Sequence, residues 1–256
     1  MTSQNNVKPE AEKKEGWGEA IRTVIYAVAI ALVIRSLAYE PFNIPSGSML
    51  PNLLIGDYLF VSKFPYGYSR HSFPFSPPVF SGRVWEDPVE RGDIVVFKLP
   101  RDNSTDYIKR IVGLPGDKLQ VRDGVLEING APVQREFIGK SLVPGEEAHG
   151  PVRQYRETLP NGRSYLTLDL RDGGEGDNTG VFSVPAGHYF AMGDNRDNSS
   201  DSRFAKERGG VGYIPAENLV GRAEFRFFSI DADTRFWEVW EWPGAIRFGR
   251  IFTSVD

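Results

Sequence analysis

The chain has 256 residues, enough for one large domain or two small ones. Hydrophobic residues make up 40% of it and aromatic residues 12%, which excludes disorder along the whole chain. The 27 glycines and 18 prolines favour turn-rich β structure, and a net charge of −4 argues against a broad nucleic-acid-binding face. Cysteine is absent, which excludes disulfides, thiolate metal sites and cysteine nucleophiles.

The first predicted element is an apolar helix near the N-terminus. Residues 23–34, between Arg22 and Arg35, carry no charge. They would rise only about 18 Å as a helix, but a helix over residues 17–39 reaches about 33 Å, enough for the ~30 Å of membrane hydrocarbon. The arginine stems can extend to the lipid headgroups. We therefore expect one transmembrane helix over residues 17–39.

Two other interpretations of this segment stay open. Ser36 and Ala38 are small residues at the −3 and −1 positions of a cleavable signal peptide, although the acidic leader and Arg35 weaken that interpretation. The segment would also suit a helix buried in a core.

The charge bias predicts the orientation if the helix spans a membrane. Basic residues precede the apolar stretch, and their excess favours a cytoplasmic N-terminus. These residues are Lys8, Lys13, Lys14 and Arg22. We then expect a cytoplasmic tail over residues 1–16 and an extracytoplasmic domain over residues 40–256.

Beyond the helix, short apolar runs broken by Gly, Pro, Asn and Asp predict a mainly β body. Asp123-Gly124 and Asn129-Gly130 are typical of hairpin turns. The predicted strands cover residues 42–44, 58–62, 93–98, 107–112, 118–122, 125–128, 164–170, 180–184, 188–192 and 219–228.

Two stretches are predicted to lie outside the main sheet. Residues 64–90, rich in Pro, Ser and aromatic residues, predict a long surface excursion. A polar insertion is expected around residues 118–185, and its Gly-rich part, residues 137–178, shows no clear pattern.

The three histidines do not support histidine or metal chemistry. His71, His149 and His188 lie far apart in the sequence, and no Gly-x-Ser-x-Gly motif is present. A Ser-His-Asp triad is therefore disfavoured. Zinc is also disfavoured without cysteine or a His-x-x-x-His motif, and we expect no metal and no cofactor.

A serine nucleophile can instead use a lysine base, if burial keeps the amine neutral. Ser46 and Ser48 flank Gly47 in a loop bounded by Pro45 and Pro51. The glycine permits a tight backbone that can expose one hydroxyl beside a backbone N–H. The alternative interpretation is an ordinary Ser-Gly turn.

A second candidate is Lys109, which shares one face of a predicted strand with Tyr107 and Ile111. Arg110 would point to the opposite face. A lysine on an apolar face either extends from a sheet edge to solvent or is desolvated and functional, and the pattern leaves both open.

A third candidate is the acidic loop at residues 193–203. Arg196 occupies the third ligand position of a calcium loop and no glycine follows at the sixth, so the EF-hand pattern fails. The alternating Asp and Arg residues predict a loop held together by its own salt bridges.

Together these segments resemble the bacterial type I signal peptidases, or leader peptidases. Four motifs follow in the family's order behind a membrane helix. They are Pro45-Ser46-Gly47-Ser48-Met49, Arg91-Gly92-Asp93-Ile94-Val95-Val96-Phe97, Tyr107-Ile108-Lys109-Arg110 with Gly113-Leu114-Pro115-Gly116-Asp117, and Gly193-Asp194-Asn195-Arg196 with Ser199-x-Asp201-Ser202-Arg203. The resemblance implies an antiparallel β-sheet or barrel-like catalytic body with a smaller inserted β subdomain.

The resemblance also implies a Ser/Lys dyad. Ser48 matches the nucleophile and Lys109 the general base. Ser46 matches a hydroxyl that forms the oxyanion hole with the Ser48 N–H, and Ser199 matches a hydroxyl that orients the lysine amine. The matched supporting network behind the site comprises Asp194, Arg196, Asp201 and Arg203.

The implied substrate is an extended chain lying between two edge segments, with small side chains at −3 and −1. The matched edge segments are Phe42–Pro45 and Asp106–Ile108, and the candidates for lining the side-chain pockets are Ile44, Val96 and Ile108. The predicted substrate-binding residues are therefore Phe42, Ile44, Pro45, Val96, Asp106 and Ile108. The implied partners are preproteins with signal peptides, the lipid bilayer and, by proximity, the translocation machinery, with no nucleic acid. The implied location is the bacterial inner membrane, with a periplasmic catalytic domain.

Aromatic residues are expected to touch the bilayer near the catalytic face, although packing in the core is the alternative for each. The candidates are Phe73, Phe75, Phe80, Trp85, Phe236, Trp237, Trp240 and Trp242.

Two alternative functions remain open. One is a narrower Ser/Lys processing protease, of a conjugation-linked or self-cleaving repressor type. The other is a catalytically inactive, membrane-tethered binding module.

Overall fold

A computed structural model describes residues 17–78, 80–235 and 237–255. The predicted cytoplasmic tail, residues 1–16, and Phe236 lie outside the described residues.

The N-terminal helix, α1, spans Trp17–Leu37 and has no buried residue. The alternative of a helix buried in the core is therefore wrong. The helix is long and apolar enough to cross a membrane. It ends two residues before the predicted limit because Tyr39 begins a strand and pairs with Ser62.

The rest of the chain is mainly β, as predicted. A second short helix, α2, spans Trp242–Ala245. The strands are β1 Tyr39–Asn43, β2 Asp57–Ser62, β3 Tyr68–Ser69, β4 Arg83–Val84, β5 Ile94–Lys98, β6 Asp106–Gly113, β7 Lys118–Arg122, β8 Val125–Ile128, β9 Ala131–Pro132, β10 Gln134–Ser141, β11 Val152–Thr158, β12 Ser164–Asp169, β13 Phe182–Ser183, β14 His188–Met192, β15 Ile214–Pro215, β16 Leu219–Ser229 and β17 Thr253–Ser254.

An eight-stranded antiparallel sheet forms the main body. Its strand order is β1-β2-β16-β5-β6-β14-β15, and β17 pairs with β16. The sheet curls, because Phe42 of β1 and Ile108 of β6 pack against the same apolar cluster although three strands separate β1 from β6 in the sheet order. This curvature brings the loop after β1 towards β6.

Strand β6 is covered on both faces. Ile111 packs into one hydrophobic cluster with Val95 and Phe97, whereas its neighbour Val112 packs into another with Phe190. Both Lys109 and Arg110 are therefore buried, although their side chains leave the strand on opposite faces.

The chain between β6 and β14 forms two smaller sheets. One has the order β13-β7-β8-β9 and the other β10-β11-β12. The sequence did not predict β10 and β11, because their residues are mostly polar and partly exposed. These strands pair through a regular antiparallel register with one bulge between Phe137 and Gly139.

The prediction of a surface excursion over residues 64–90 is partly wrong. Tyr66, Ser69, His71 and Ser72 are buried. Tyr66 packs in the core cluster of the main sheet, and its hydroxyl donates to Asp93 Oδ2 at 2.7 Å. An aromatic residue with a satisfied hydroxyl is stable in a core, which a composition rich in Pro and Ser does not reveal.

Candidate active site

The nucleophile candidate lies in a tight turn directly after β1. Gly47–Met49 forms a single 3₁₀ turn, and Met49 and Leu50 are completely buried beneath it. These two apolar side chains anchor the turn, and Ser48 is 8% exposed. The burial of Ser48 places its hydroxyl inside the protein, and an ordinary Ser-Gly turn stays the alternative to a catalytic role.

Ser48 and Lys109 meet although they are far apart in sequence. Lys109 Nζ lies 2.6 Å from Ser48 Oγ and donates to Ile108 O at 2.9 Å. The ring of Tyr107 lies beneath the amine, with its centroid 5.4 Å from Nζ. Lys109 is 3% exposed, so the alternative of a lysine extending to solvent is wrong.

Burial lowers the pKa of Lys109 from 10.5 to about 8. The charges of Asp201 and Asp194 oppose this effect, and the charge of Arg203 adds to it. Among the described residues, Lys109 forms no ion pair with a carboxylate. A neutral amine at this distance can take the proton of the Ser48 hydroxyl.

The acidic loop is not held together mainly by its own salt bridges, contrary to the prediction. Only Arg203 and Asp201 pair within it, with Arg203 Nη2 and Asp201 Oδ2 2.9 Å apart. Asp194 pairs instead with Arg110 of β6, and Arg196 pairs with Glu157 of β11. The four network residues are all buried. Their ion pairs connect the loop to β6 of the main sheet and to β11 of the insertion.

The charge network holds its members ionised. Burial alone would raise the pKa of Asp201, but the charge and hydrogen bonds of Arg203 lower it below its usual value. Burial would likewise lower the pKa of Arg110, but the charge of Asp194 raises it. Asn52 Nδ2 also donates to Asp194 Oδ2 at 2.7 Å.

The two matched hydroxyl residues occupy different environments. Ser46 is exposed beside Ser48 at the mouth of the site. Ser199 is buried, and its Oγ has no hydrogen-bond partner within residues 17–78, 80–235 and 237–255. The expected bond from Ser199 to the lysine amine is therefore not formed here, and the orienting role stays a prediction.

A groove of about 550 Å³ opens above the Ser48–Lys109 pair. Every predicted substrate-binding residue lines it. They are Phe42, Ile44, Pro45, Val96, Asp106 and Ile108. One wall is the end of β1 with the following loop, and the other is the start of β6, so an extended peptide would fit along the pair.

The exposed aromatic residues lie in two parts of the chain. Phe75 and Trp85 are exposed, as are Trp237 and Trp240 near the C-terminus. The other described candidates, Phe73, Phe80 and Trp242, are half-buried.

No group of three or more His, Cys, Asp or Glu side chains in the described part of the chain has the geometry to hold a metal ion.

Comparison with known proteins identifies the chain as a serine endopeptidase of the signal peptidase I type. The chain belongs to the family described as "Signal peptidase, peptidase S26", whose family model matches residues 17–228.

Two relatives show the extent of the similarity. A signal peptidase I of Rickettsia typhi is 41% identical over 249 residues, covering 90% of each chain. A signal peptidase I of Rickettsia conorii is 38% identical over 272 residues, covering 98% of this chain and 97% of the relative. A crystal structure of a signal peptidase I from Enterococcus faecalis is 26% identical and covers 53% of this chain and 97% of that chain, with a TM-score of 0.31.

Sequence reasoning did not single out two residues that contact the serine loop or its neighbours. Asn195 lies within a motif that was noted, but its bonds to the serine loop were not foreseen. Glu146 lies in a Gly- and Pro-containing loop of the insertion, where no motif marks it.

Proposed function

We propose that this chain removes N-terminal signal peptides from exported preproteins, cleaving after small residues at −3 and −1. Ser48 is the nucleophile and neutral Lys109 is the general base. The observation that carries the proposal is the 2.6 Å contact between Lys109 Nζ and Ser48 Oγ, in a buried site where the amine has a lowered pKa.

Acylation begins with a proton transfer from Ser48 to Lys109. As Oγ bonds to the scissile carbonyl carbon, its proton moves to Nζ and the carbonyl becomes an oxyanion. The Ser48 N–H and the Ser46 hydroxyl stabilise this oxyanion, each donor contributing about 3 kcal/mol. The Lys109 ammonium then gives its proton to the departing amine, which leaves an acyl ester on Ser48.

Deacylation uses the same base. Neutral Lys109 takes a proton from water, whose oxygen attacks the ester carbonyl. The Lys109 ammonium then returns this proton to the Ser48 oxygen as the ester bond breaks, and the signal peptide leaves with a new C-terminal carboxylate. Lys109 returns to its neutral form at the end of each cycle.

Specificity follows from the shape of the groove. Alternate side chains of an extended peptide point to the same side, so those at −3 and −1 face the wall containing Ile44, Val96 and Ile108. These apolar walls leave room for small side chains and exclude large or charged ones.

The catalytic domain lies outside the cytoplasm, with α1 as a single anchor in the inner membrane and the N-terminus in the cytoplasm. Two contacts tie the end of α1 to the body: Arg35 pairs with Glu40, and the Tyr68 hydroxyl donates to Leu37 O. These contacts hold the groove close to the bilayer, where the signal peptide resides, and the translocation machinery is a neighbour. Trp85 and Phe75 are the exposed aromatic residues that contact the lipid.

The test is cleavage of an exported preprotein by the purified full chain in detergent. We expect wild type to release the mature protein, and Ser48→Ala and Lys109→Ala each to lose at least 10³-fold in rate. Lys118→Ala on β7 and Ser183→Ala on β13 change exposed residues that do not line the groove, and they serve as controls. Activity near wild type in either site variant would remove that residue from its role and favour another chemistry, whereas absence of cleavage by wild type would favour a binding module.

A further inference from the structure

A buried carboxylate of the insertion bonds to two asparagines of the 193–203 loop, which lies against the loop that carries the nucleophile. Glu146 lies in the connection between β10 and β11 and is 2% exposed. Its Oε1 accepts from Asn195 Nδ2 at 2.6 Å and from Asn198 Nδ2 at 2.7 Å. Its Oε2 lies 3.0 Å from Nδ1 of the surface residue His149. Oε1 therefore faces the loop of residues 193–203, and Oε2 faces the surface residue His149.

Asn195 connects this carboxylate to both sides of Ser48. Its Nδ2 donates to Gly47 O at 3.1 Å, and its backbone N donates to Ser48 O at 3.2 Å. The orientation of the amide is fixed, because the carboxylate and the Gly47 carbonyl are both acceptors. The nitrogen of the Asn195 side chain must therefore face them, and exchanging its oxygen for the nitrogen would place acceptors against acceptors.

The insertion also fixes the backbone on either side of Asn195. Leu168 of β12 donates its N–H to Asp194 O at 2.9 Å and accepts from the Arg196 N–H at 3.0 Å. Leu168 also packs against Leu50, the apolar anchor under the serine turn. The segment around Asn195 is thus fixed by its backbone and by its side chain.

The Gly47 carbonyl, which Asn195 holds, belongs to the same peptide unit as the Ser48 N–H, one of the two proposed oxyanion donors. The Gly47–Ser48 peptide is planar, so its C=O and N–H point in opposite directions. A hydrogen bond that fixes Gly47 O therefore fixes the direction of the Ser48 N–H. The Leu50 N–H also donates to Gly47 O, at 3.2 Å, so the carbonyl is held from two sides.

We propose that Glu146 and Asn195 are positioning residues, which orient the Ser48 N–H for the oxyanion. The inference rests on the proposed function, since it needs Ser48 to be the nucleophile. It assigns the insertion a part in catalysis: its carboxylate holds an amide, and the amide holds the peptide that supplies the backbone donor.

The first test compares kcat and KM in full-chain variants. Loss of one oxyanion donor costs about 10²–10³-fold in kcat, so a misoriented donor in Glu146→Ala should cost about 10–100-fold. KM should stay within about threefold, because the substitution leaves the apolar wall residues Ile44, Val96 and Ile108 in place, although Asn198, which also lines the groove, loses its bond to Glu146. Glu146→Gln should recover most of the activity, since its amide oxygen can still accept from both asparagines. His149→Ala is the matched control, as the His149 ring meets the carboxylate at Oε2, whereas the two asparagines bond to Oε1.

A second readout reports on the oxyanion itself. A peptide aldehyde adds reversibly to Ser48: Oγ bonds to the aldehyde carbon, the carbonyl becomes an oxyanion, and the serine proton moves to Lys109. The matching peptide alcohol occupies the groove without forming an oxyanion. Glu146→Ala should weaken inhibition by the aldehyde about as much as it lowers kcat and leave inhibition by the alcohol unchanged. Unchanged kcat and aldehyde affinity, or a change in KM alone, would overturn the proposal.

A double variant keeps the test decisive if Glu146→Ala does not fold. In Glu146→Gln/Asn195→Asp the two side chains can still bond, with the glutamine as donor, but Gly47 O loses its side-chain donor. We expect a folded protein with at least a tenfold lower kcat, and a wild-type kcat would overturn the inference. Failure of the proposed function is seen separately, as absence of cleavage by wild type or full cleavage by Ser48→Ala.

Discussion

Lys109 and Arg110 are adjacent, buried basic residues in different electrostatic environments, since Arg110 pairs with a carboxylate and Lys109 does not. Arg110 Nε lies 2.9 Å from Asp194 Oδ1, and the pairing raises the pKa of Arg110. Lys109 leaves the strand on the other face and meets a hydroxyl, a backbone carbonyl and an aromatic ring. Burial without a paired carboxylate lowers its pKa to about 8. Arg110 therefore stays permanently charged, whereas Lys109, its neighbour on β6, can lose its proton and act as a base.

The stability of the protein should depend on pH through Lys109. Its pKa is 10.5 when unfolded and about 8 when folded. Between these values only the unfolded chain binds the proton, so the free energy of unfolding rises with pH across this window. At about 1.4 kcal/mol per pKa unit, the rise is about 3 kcal/mol. Below pH 8 both states are protonated, and the buried ammonium costs stability.

Thermal unfolding of wild type and Lys109→Met from pH 7 to 11 measures this effect. We expect Lys109→Met to be the more stable protein at pH 7 and the difference to shrink as the pH passes from 8 to 10.5. Lys118→Met, at an exposed site, should follow wild type throughout. A constant difference between wild type and Lys109→Met would show that the folded and unfolded pKa values are the same.

Arg110→Met should destabilise the protein strongly. It leaves the Asp194 carboxylate buried without its cation, which costs about 3–5 kcal/mol for a broken buried pair. Arg122→Met breaks the exposed pair with Glu127 and should cost less than about 1 kcal/mol. Thermal unfolding of both variants tests the contrast, and equal losses would mean that burial of the Arg110 pair has no energetic consequence.

Substrate preference should change when a wall of the groove is shortened. Ile108→Ala enlarges the groove beside Lys109, so a preprotein with Leu at −1 should be cleaved at least tenfold better relative to one with Ala at −1. The measurement is the ratio of the two kcat/KM values. Val181→Ala, exposed in the insertion, is the control. An unchanged ratio in Ile108→Ala would remove Ile108 from the specificity wall.

The topology can be measured with single cysteines, because the chain has none of its own. Ser104→Cys lies in an exposed loop beside the start of β6, and we expect an impermeant maleimide to label it from outside intact cells. Ser3→Cys should be labelled only after the cells are opened. The reverse pattern would invert the proposed orientation, and loss of the residue 3 label from the mature chain would indicate cleavage of the N-terminal segment.

The sequence predicts the elements in which local pattern and tertiary environment agree. Strands β7, β8 and β14 were placed within a residue because apolar side chains alternate there or form a compact run. Strand β10 was missed because most of its residues are exposed and polar, and pairing with β11 stabilises it. The apolar helix was found because twelve uncharged residues in a row need no tertiary information.

The sequence likewise predicts some residues of the candidate site and not others. Ser48 and Lys109 are each visible as a candidate residue, but their pairing came from the family resemblance, since contacts across such a distance leave no periodic pattern. Glu146 had no local signal, because a glutamate in a Gly-rich loop is usually exposed. Its burial depends on two asparagines that the fold brings from another loop.

The most direct test of a buried lysine base is the pH dependence of kcat/KM for cleavage of a preprotein. The neutral fraction of Lys109 rises tenfold per pH unit below its pKa, so kcat/KM should rise with pH from 6 and level off above about 8. Lys109→Arg should be inactive at every pH, because the guanidinium stays charged. A profile that is flat from pH 8 down to pH 5 would contradict the account.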